Sequence, residues 1–365
     1  MNFREVRRIA GPSVEVMPVV KADAYRHGAV AVSHVLEAEG AKWLAVSNVE
    51  EGVSLRESGC QSRILVMADF LPFERSVLAE HDLTPVIHDL AGIGEWAAIA
   101  RGAGGARPLA FHLKVDTGMG RLGTRAAASE IAAAAIVGAQ REGPVFMEGL
   151  MTHFASSADF DSPQTEEQVA QFKAIHGSLA AAGIHPKYVH MASTNPIGYG
   201  RGAEFGNLVR PGHAIYGFVS PARGESAPAL SLHVKPALTW KAAVLAVKDV
   251  AAGERIGYGG MHVTKRATRL AILAAGYADG IPHRLGGRGR VIVGGCYAPV
   301  VGAVSMDLTT IDITDCPAVE IGGSVILIGS EGQASIDAQQ IAKLAGTISY
   351  SVLCGIHARV KRLYV

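Results

Sequence analysis

The strongest constraint on this chain is an alternation. Short apolar, β-branched runs recur eight times in the first 219 residues, separated by Ala- and charge-rich segments. Strands are predicted over 16–20, 43–46, 64–67, 84–87, 110–115, 148–152, 188–191 and 208–210. Mostly helical connections are predicted over 29–39, 49–58, 75–80, 92–100, 125–140, 166–182 and 194–204. Strands alternating with helices pair in parallel, and eight even units close a (β/α)8 barrel. An open, doubly wound sheet would not need eight.

After about residue 217 the pattern changes. Residues 220–228 form a polar linker containing Pro and Gly. Beyond it, Val and Ile alternate with small and polar residues over 238–247, 270–273, 290–293, 308–313 and 324–328, punctuated by Gly and Pro. This predicts short antiparallel strands, with one helix over 336–344 opened by Ser335 as N-cap. The expected fold class is therefore α/β plus β: a barrel over 1–219, then a mainly antiparallel β domain over 229–365.

The net charge is +1 with no long run of one sign, which gives no support to a nucleic-acid or anionic-membrane partner. Cys60, Cys296, Cys316 and Cys354 lie far apart with no CxxC pair. Reduced thiols in a cytoplasmic protein are expected, and no metal site. The first ten residues lack the apolar core of a signal peptide. The longest apolar run, 131–139, is an Ala-rich helix too short for a bilayer.

A barrel's chemistry sits at the C-terminal ends of its strands. Lys21 ends the first apolar run and precedes a small, turn-prone segment with Tyr25. Burying an ammonium is costly unless it is paired or loses its proton. Lys21 is therefore either a paired structural lysine or a covalent anchor for an aldehyde. Arg121 lies in a loop with three glycines, 118, 120 and 123, that allows close backbone approach; a plain turn with a solvated arginine reads the same way. Ser193 with Thr194, and Arg210 to His213, follow the seventh and eighth strands, where barrels bind phosphate, although a hydroxyl there can be only a helix cap. His153 follows the sixth strand and is either a satisfied core histidine or a member of this group. In the second domain, Tyr258 and Tyr277 sit in glycine-flanked turns, Ser305-Met306-Asp307 is expected to end a strand, and Tyr350 lies near the C-terminus.

Taken in order, the motifs resemble those of alanine racemases. They are Val20-Lys21-Ala22-Asp23-Ala24-Tyr25, the run from Lys114 through Asp116 and Arg121 to Gly123, Thr152-His153-Phe154, and Val209-Arg210-Pro211-Gly212. Tyr258-Gly259, Gly276-Tyr277-Ala278-Asp279-Gly280 and Ser305-Met306-Asp307 follow in the second domain. The resemblance implies a pyridoxal 5'-phosphate barrel joined to a β domain, in a homodimer whose sites are shared between chains. It implies two-base interconversion of L- and D-alanine, supplying D-alanine for peptidoglycan. By position, Lys21 matches the Schiff-base lysine, and Tyr25, Ser193, Thr194, Gly212 and His213 the phosphate contacts. Arg210 matches the partner of the pyridine nitrogen and His153 its neighbour. Arg121 and Met306 match substrate-carboxylate contacts, and Lys114 a lysine that is often carbamylated. Tyr258 matches the second base, and Tyr277 and Tyr350 the corridor into the site. Broad-specificity or serine racemases share the scaffold, and a non-catalytic carrier of the same cofactor is the reading from another class. Two departures stand out: Arg26 interrupts a turn that usually contains glycine, and the family's first strand, part of the β domain, is not found. An unpaired edge in the β domain is expected from the second.

Overall fold

A computed structural model of the protein describes residues 1–102, 108–140, 145–201 and 206–365. It contains two compact units: Met1–Ala24 with Gly28–Lys235, and Tyr25–His27 with Pro236–Val365.

The first unit runs α1 (Asn2–Ala10), β1 (Glu15–Val16), α2 (Lys21–Arg26), α3 (Ala29–Ala38), β2 (Trp43–Val46), α4 (Val49–Glu57), β3 (Arg63–Val66), α5 (Arg75–Glu80) and β4 (Leu83–Ile87). It continues α6 (Ala91–Gly102), β5 (Leu109–Lys114), α7 (Ala128–Gln140), β6 (Val145–Met151), α8 (Gln164–Ala181), β7 (Tyr188–His190), α9 (Thr194–Gly198) and β8 (Leu208–Val209). Strands β2 to β7 form one parallel sheet in chain order, and β1 pairs in parallel with β8. Backbone bonds join the two pieces: Val20 N–H donates to the Ala45 carbonyl (2.8 Å), Ala45 N–H to Pro18 (2.9 Å) and Arg210 N–H to Ala192 (2.9 Å). All eight expected strands are present and close a barrel. Every residue of β2 and β4 is buried, as in strands covered on both faces.

Some boundaries differ from expectation. The first strand is regular only at Glu15–Val16, because Pro18 has no N–H to continue the ladder. The helix expected over 194–204 is Thr194–Gly198, and residues 202–204 lie outside the described ones. The segment 158–160 holds Arg223 through two backbone bonds, so the linker starts laid against the barrel.

The second unit runs β9 (Trp240–Val250), β10 (Arg255–Ile256), β11 (His262–Val263), β12 (Thr268–Leu273), β13 (Arg290–Val293), β14 (Cys296–Pro299), β15 (Thr309–Asp312), β16 (Ser324–Glu331), β17 (Ala334–Ile336), α10 (Ala338–Ala345) and α11 (Ser349–Cys354). The main sheet is antiparallel, in the order β14-β13-β16-β9-β12-β15. The Val300–Ile311 bridge and the Val301 N–H to Thr310 bond (2.9 Å) bring its two ends together. The edge expected to lie open is thereby paired. Helix α10 is capped by Asp337, whose carboxylate accepts from Gln340 N–H at 2.8 Å. Ser335 is instead inside β17, paired with Ser330, which corrects the expected cap. Ser305-Met306-Asp307 does not end a strand either. It is a turn ahead of β15, fixed because Tyr277 and Ala278 N–H donate to the Ser305 and Met306 carbonyls (3.0 and 2.9 Å). Among the described residues no helix is long and apolar enough to cross a membrane.

Candidate active site

The first unit gathers cations at the C-terminal ends of its strands. Lys114, the last residue of β5, is buried. Burial and the positive charges of Arg121, Arg210 and Lys21 push its ammonium down to about 8, with Asp116 opposing. Burial and the same four cations, Arg210 first, hold His153 well below the usual imidazole range. Four of the sequence-predicted residues thus share one electrostatic neighbourhood, and it is strongly positive. A cluster of like charges of this kind attracts anions.

Arg210 is 3% exposed. Among the described residues it has neutral partners only. One terminal nitrogen donates to His190 Nδ1 (2.8 Å) and to the His190 carbonyl (3.0 Å). The other donates to the Thr152 carbonyl (2.7 Å) and the Met191 carbonyl (3.1 Å), and reaches His153 Nδ1 at 3.4 Å. Burial pushes the guanidinium down to about 9, so it remains charged at neutral pH. Among the described residues no carboxylate pairs with that charge; carbonyl dipoles and imidazole nitrogens hold it in place.

The Arg121 loop is strapped to its strand. Thr124 N–H donates to the Lys114 carbonyl and Asp116 N–H to the Thr124 carbonyl, both at 2.9 Å. A Cβ at Gly123, where φ is +123°, would lie 2.7 Å from the Asp116 nitrogen, so only glycine permits this closure. Asp116 Oδ1 accepts from Gly118, Met119 and Gly120 N–H, and Oδ2 from Arg125. Burial raises that carboxyl, but the Gly120 and Gly118 amides and Arg125 outweigh it and hold it near about 2. The loop is ordered by these bonds, and Arg121 itself is exposed.

The phosphate candidates also converge. Thr194 Oγ1 accepts from Gly212 N–H and Ala214 N–H, both at 3.2 Å, drawing the loops after β7 and β8 together. Ser193 occupies the cap position of α9 but its side chain makes no capping bond. The His213 ring is buried and stacked on Phe218 (centroids 5.2 Å apart).

Lys21 lies beyond the first strand, after residues 17–20, and opens an unusual turn. Ala22, Asp23, Ala24, Tyr25 and Arg26 all have φ between 53° and 64°. This is a left-handed helical turn made without glycine. The Glu51 carboxylate accepts from Ala22 N–H (2.6 Å) and from Ser47 N–H (2.8 Å). Asp23 Oδ1 accepts from Ala29 N–H (2.7 Å).

In the second unit, Tyr25 and Tyr350 have ring centroids 5.9 Å apart. Burial, then Tyr350 and Cys354, push the Tyr25 phenol above its ordinary range. Tyr258 is 76% exposed, in a turn whose flanking glycines 257, 259 and 260 all have positive φ. Tyr277 and Met306 are also exposed, and the Tyr277 and Ala278 amides tie their two turns together.

Several residues escaped sequence reasoning. His112 and His190 are fully buried and extend the Arg210 contacts into the barrel. The signal was strand alternation: His112 lies two residues before Lys114, on the same face of β5. Gln168 of α8 ties two loops, donating to Thr117 Oγ1 (3.3 Å) and the His153 carbonyl (3.0 Å) and accepting from Ala155 N–H (2.9 Å). His88 follows β4, and burial and Lys114 push it down to about 4. Glu50, Asp69 and Glu74 form an acidic cluster with oxygens within 4.8 Å of one another.

Comparison with known proteins matches this arrangement. Residues 1–220 match the family description "Alanine racemase, N-terminal domain", and residues 237–364 match "Alanine racemase, C-terminal domain". The alanine racemase of Halothermothrix orenii is 40% identical over 366 residues, covering 100% of this chain and 93% of that protein. That of Carboxydothermus hydrogenoformans is 39% identical, covering 100% and 96%. Among solved structures, alanine racemase from the D-cycloserine-producing Streptomyces lavendulae superposes with a TM-score of 0.91 at 34% identity, covering 100% and 94%. The Bartonella henselae enzyme, solved with covalently bound pyridoxal phosphate, gives 0.84 at 27% identity, covering 100% and 96%. The barrel, the antiparallel second unit and full-length similarity agree: the chain belongs to the alanine racemase family of isomerases.

Proposed function

We propose that the C-terminal face of the barrel holds pyridoxal 5'-phosphate through Lys21, and that the protein interconverts L- and D-alanine with one base on each face of the substrate. The observation that carries this reading is Arg210, a buried charged guanidinium held, among the described residues, by neutral acceptors alone. Arginine only donates. Facing a pyridine nitrogen, it requires that nitrogen to be unprotonated. The rest of the donor set fits the same group. Thr194, Gly212, His213 and Ser193 would take the phosphate with Tyr25, and the excess of cations around Lys114 suits an anionic ligand.

When bound, the cofactor supplies a conjugated ring that acidifies the substrate's α-proton. With the ring nitrogen unprotonated, that ring withdraws electrons less strongly than a pyridinium would. Arg210 would in this way keep side reactions such as transamination minor. Lys21 Nζ holds or takes a proton on one face. Tyr258 Oη does so on the other, contributed by the second subunit of a homodimer; its high exposure within one chain supports that reading. Arg121 and the Met306 backbone N–H would bind the alanine carboxylate. Tyr277 and Tyr350 would line the approach and restrict the side chain to a methyl group.

Lys114 has a further part in this reading. A lysine pushed down to about 8 offers its free amine to carbon dioxide near neutral pH. A carbamate there would replace one of four crowded cations by an anion beside Arg121. The product D-alanine would feed peptidoglycan synthesis in the cytoplasm.

The test is a purified protein with a borohydride-sensitive visible band that removes the optical rotation of L-alanine. Lys21→Ala should lose both the band and the turnover while remaining folded. A band without turnover would favour a non-catalytic carrier, and equal rates on L-serine a broader racemase.

A further inference from the structure

We propose that His112 is a positioning residue: its Nδ1 accepts the His190 Nε2 proton, holds that ring in place and, through it, holds the single orientation of the Arg210 guanidinium. The functional half of this rests on the reading that Arg210 faces the cofactor's ring nitrogen.

The argument starts from hydrogen-bond polarity. Arg210 can only donate, so His190 Nδ1, 2.8 Å away, must accept. The His190 proton is therefore on Nε2. That nitrogen lies 2.8 Å from His112 Nδ1, which must accept in turn, placing the His112 proton on its own Nε2. The chain ends 4.0 Å from Glu148 Oε2. Glu148 is buried and held by both terminal nitrogens of Arg63 at 2.6 Å. The reversed tautomer of His190 would aim an N–H at a guanidinium N–H.

No water can substitute, because both imidazoles are 0% exposed. The His112 ring is confined by Trp43, Tyr188 and His190, at centroid distances of 5.4, 6.0 and 4.9 Å. Its room is also specific. Gly149 of β6 lies beneath it, and a Cβ there would meet His112 Cγ and Nδ1 at 2.4 Å. The β5–β6 register shifts between Phe111 and His112, at the same place. A glycine, a strand irregularity and an aromatic shell thus serve one buried acceptor that contacts no substrate.

The experiment uses 15N-histidine-labelled protein and two variants. In the parent, both His112 and His190 should be neutral with the proton on Nε2. His112→Leu removes the acceptor; His112→Asn retains one near the Nδ1 position. His112→Leu should leave the His190 Nε2 proton without an acceptor, shift the His190 15N resonances and lower kcat by about tenfold or more, the cost of stranding one buried donor. The KM for alanine should change little and the share of turnover lost to transamination should rise. His112→Asn should recover most of each effect. A parent His190 with its proton on Nδ1, or charged, overturns the proposal without any variant being needed. So do folded Leu and Asn variants that behave alike. Shifted His190 resonances with unchanged kcat and product ratio would instead sink the assignment of Arg210 to the ring nitrogen, leaving the positioning of His190 standing.

Discussion

Replacing Gly149 by alanine tests the packing that the histidine chain depends on. Gly149 sits in β6 without a positive φ, so alanine loses nothing in backbone conformation. Taken alone, Gly→Ala in a strand adds about 0.5–1 kcal/mol of stability. Against this, the new Cβ would lie 2.4 Å from two atoms of the His112 ring and 2.7 Å from a third. The ring has nowhere to retreat, since three aromatic neighbours enclose it. Overpacking a closed core costs about 1–3 kcal/mol, leaving a net loss between about 0 and 2.5 kcal/mol, about 1 kcal/mol at the middle of both ranges. Chemical denaturation at matched protein concentration measures it, with the slope checked for equality between variants. Racemase activity should fall in parallel, because the same clash displaces the His190 acceptor. The decisive comparison is a cycle with His112→Ala. Once the ring is gone, Gly149→Ala should become neutral or stabilising by up to about 1 kcal/mol. Equal effects of Gly149→Ala with and without the His112 ring would overturn the clash, and so would a Gly149→Ala variant more stable than the parent.

Three further outcomes are expected. Mixing Lys21→Ala protein with Tyr258→Phe protein should regenerate activity, because a hybrid dimer with shared sites contains one site carrying neither change; no recovery after subunit exchange would place both bases in one chain. Arg210→Glu should slow racemisation and raise the proportion of transamination, measured as pyruvate formed per turnover; an unchanged ratio would count against an unprotonated ring nitrogen. Lys114, pushed from a lysine's usual value of about 10.4 down to about 8, deprotonates first in the folded protein. The unfolded chain then binds more protons between about pH 8 and 10, so with carbon dioxide excluded stability should rise with pH across that window, and Lys114→Met should flatten the rise.

The barrel was legible because its signal is repeated and buried. Strands such as Trp43–Val46 are apolar on both faces and bounded by turns, so each of the eight could be found without the others. The second unit was less so. The expected cap Ser335 lost to Asp337 because β16 and β17 form a tight hairpin that uses Ser335 in its ladder, which sequence periodicity does not weigh. Short elements such as Ser349–Cys354 and Cys296–Pro299 carry too few residues to show a period. In the site, Lys21, Arg121 and Arg210 were readable because charged residues at strand ends stand out. His112 was not, because a histidine inside an apolar strand is usually a satisfied core residue. What distinguishes it is Gly149, thirty-seven residues away, and a register shift visible only once the strands pair.

The turn after Lys21 shows how much the fold invests in that one position. Five successive non-glycine residues in the left-handed region cost about 1–2 kcal/mol each, roughly 5–10 kcal/mol in all, comparable to the net stability of a whole domain. Strain of that size persists only where the surroundings over-determine it. Here they do: the Glu51 carboxylate bridges the start of the turn to the end of β2, and Asp23 fastens its far side to α3. A relaxed, right-handed turn would satisfy local preference and lose those anchors. The lysine therefore has, on one side, a strand whose register is fixed by β2 and β8, and on the other a turn held in a conformation it would not choose alone. A flexible four-carbon side chain can be aimed reproducibly only if its backbone cannot move, and the strain is evidence that this backbone is held.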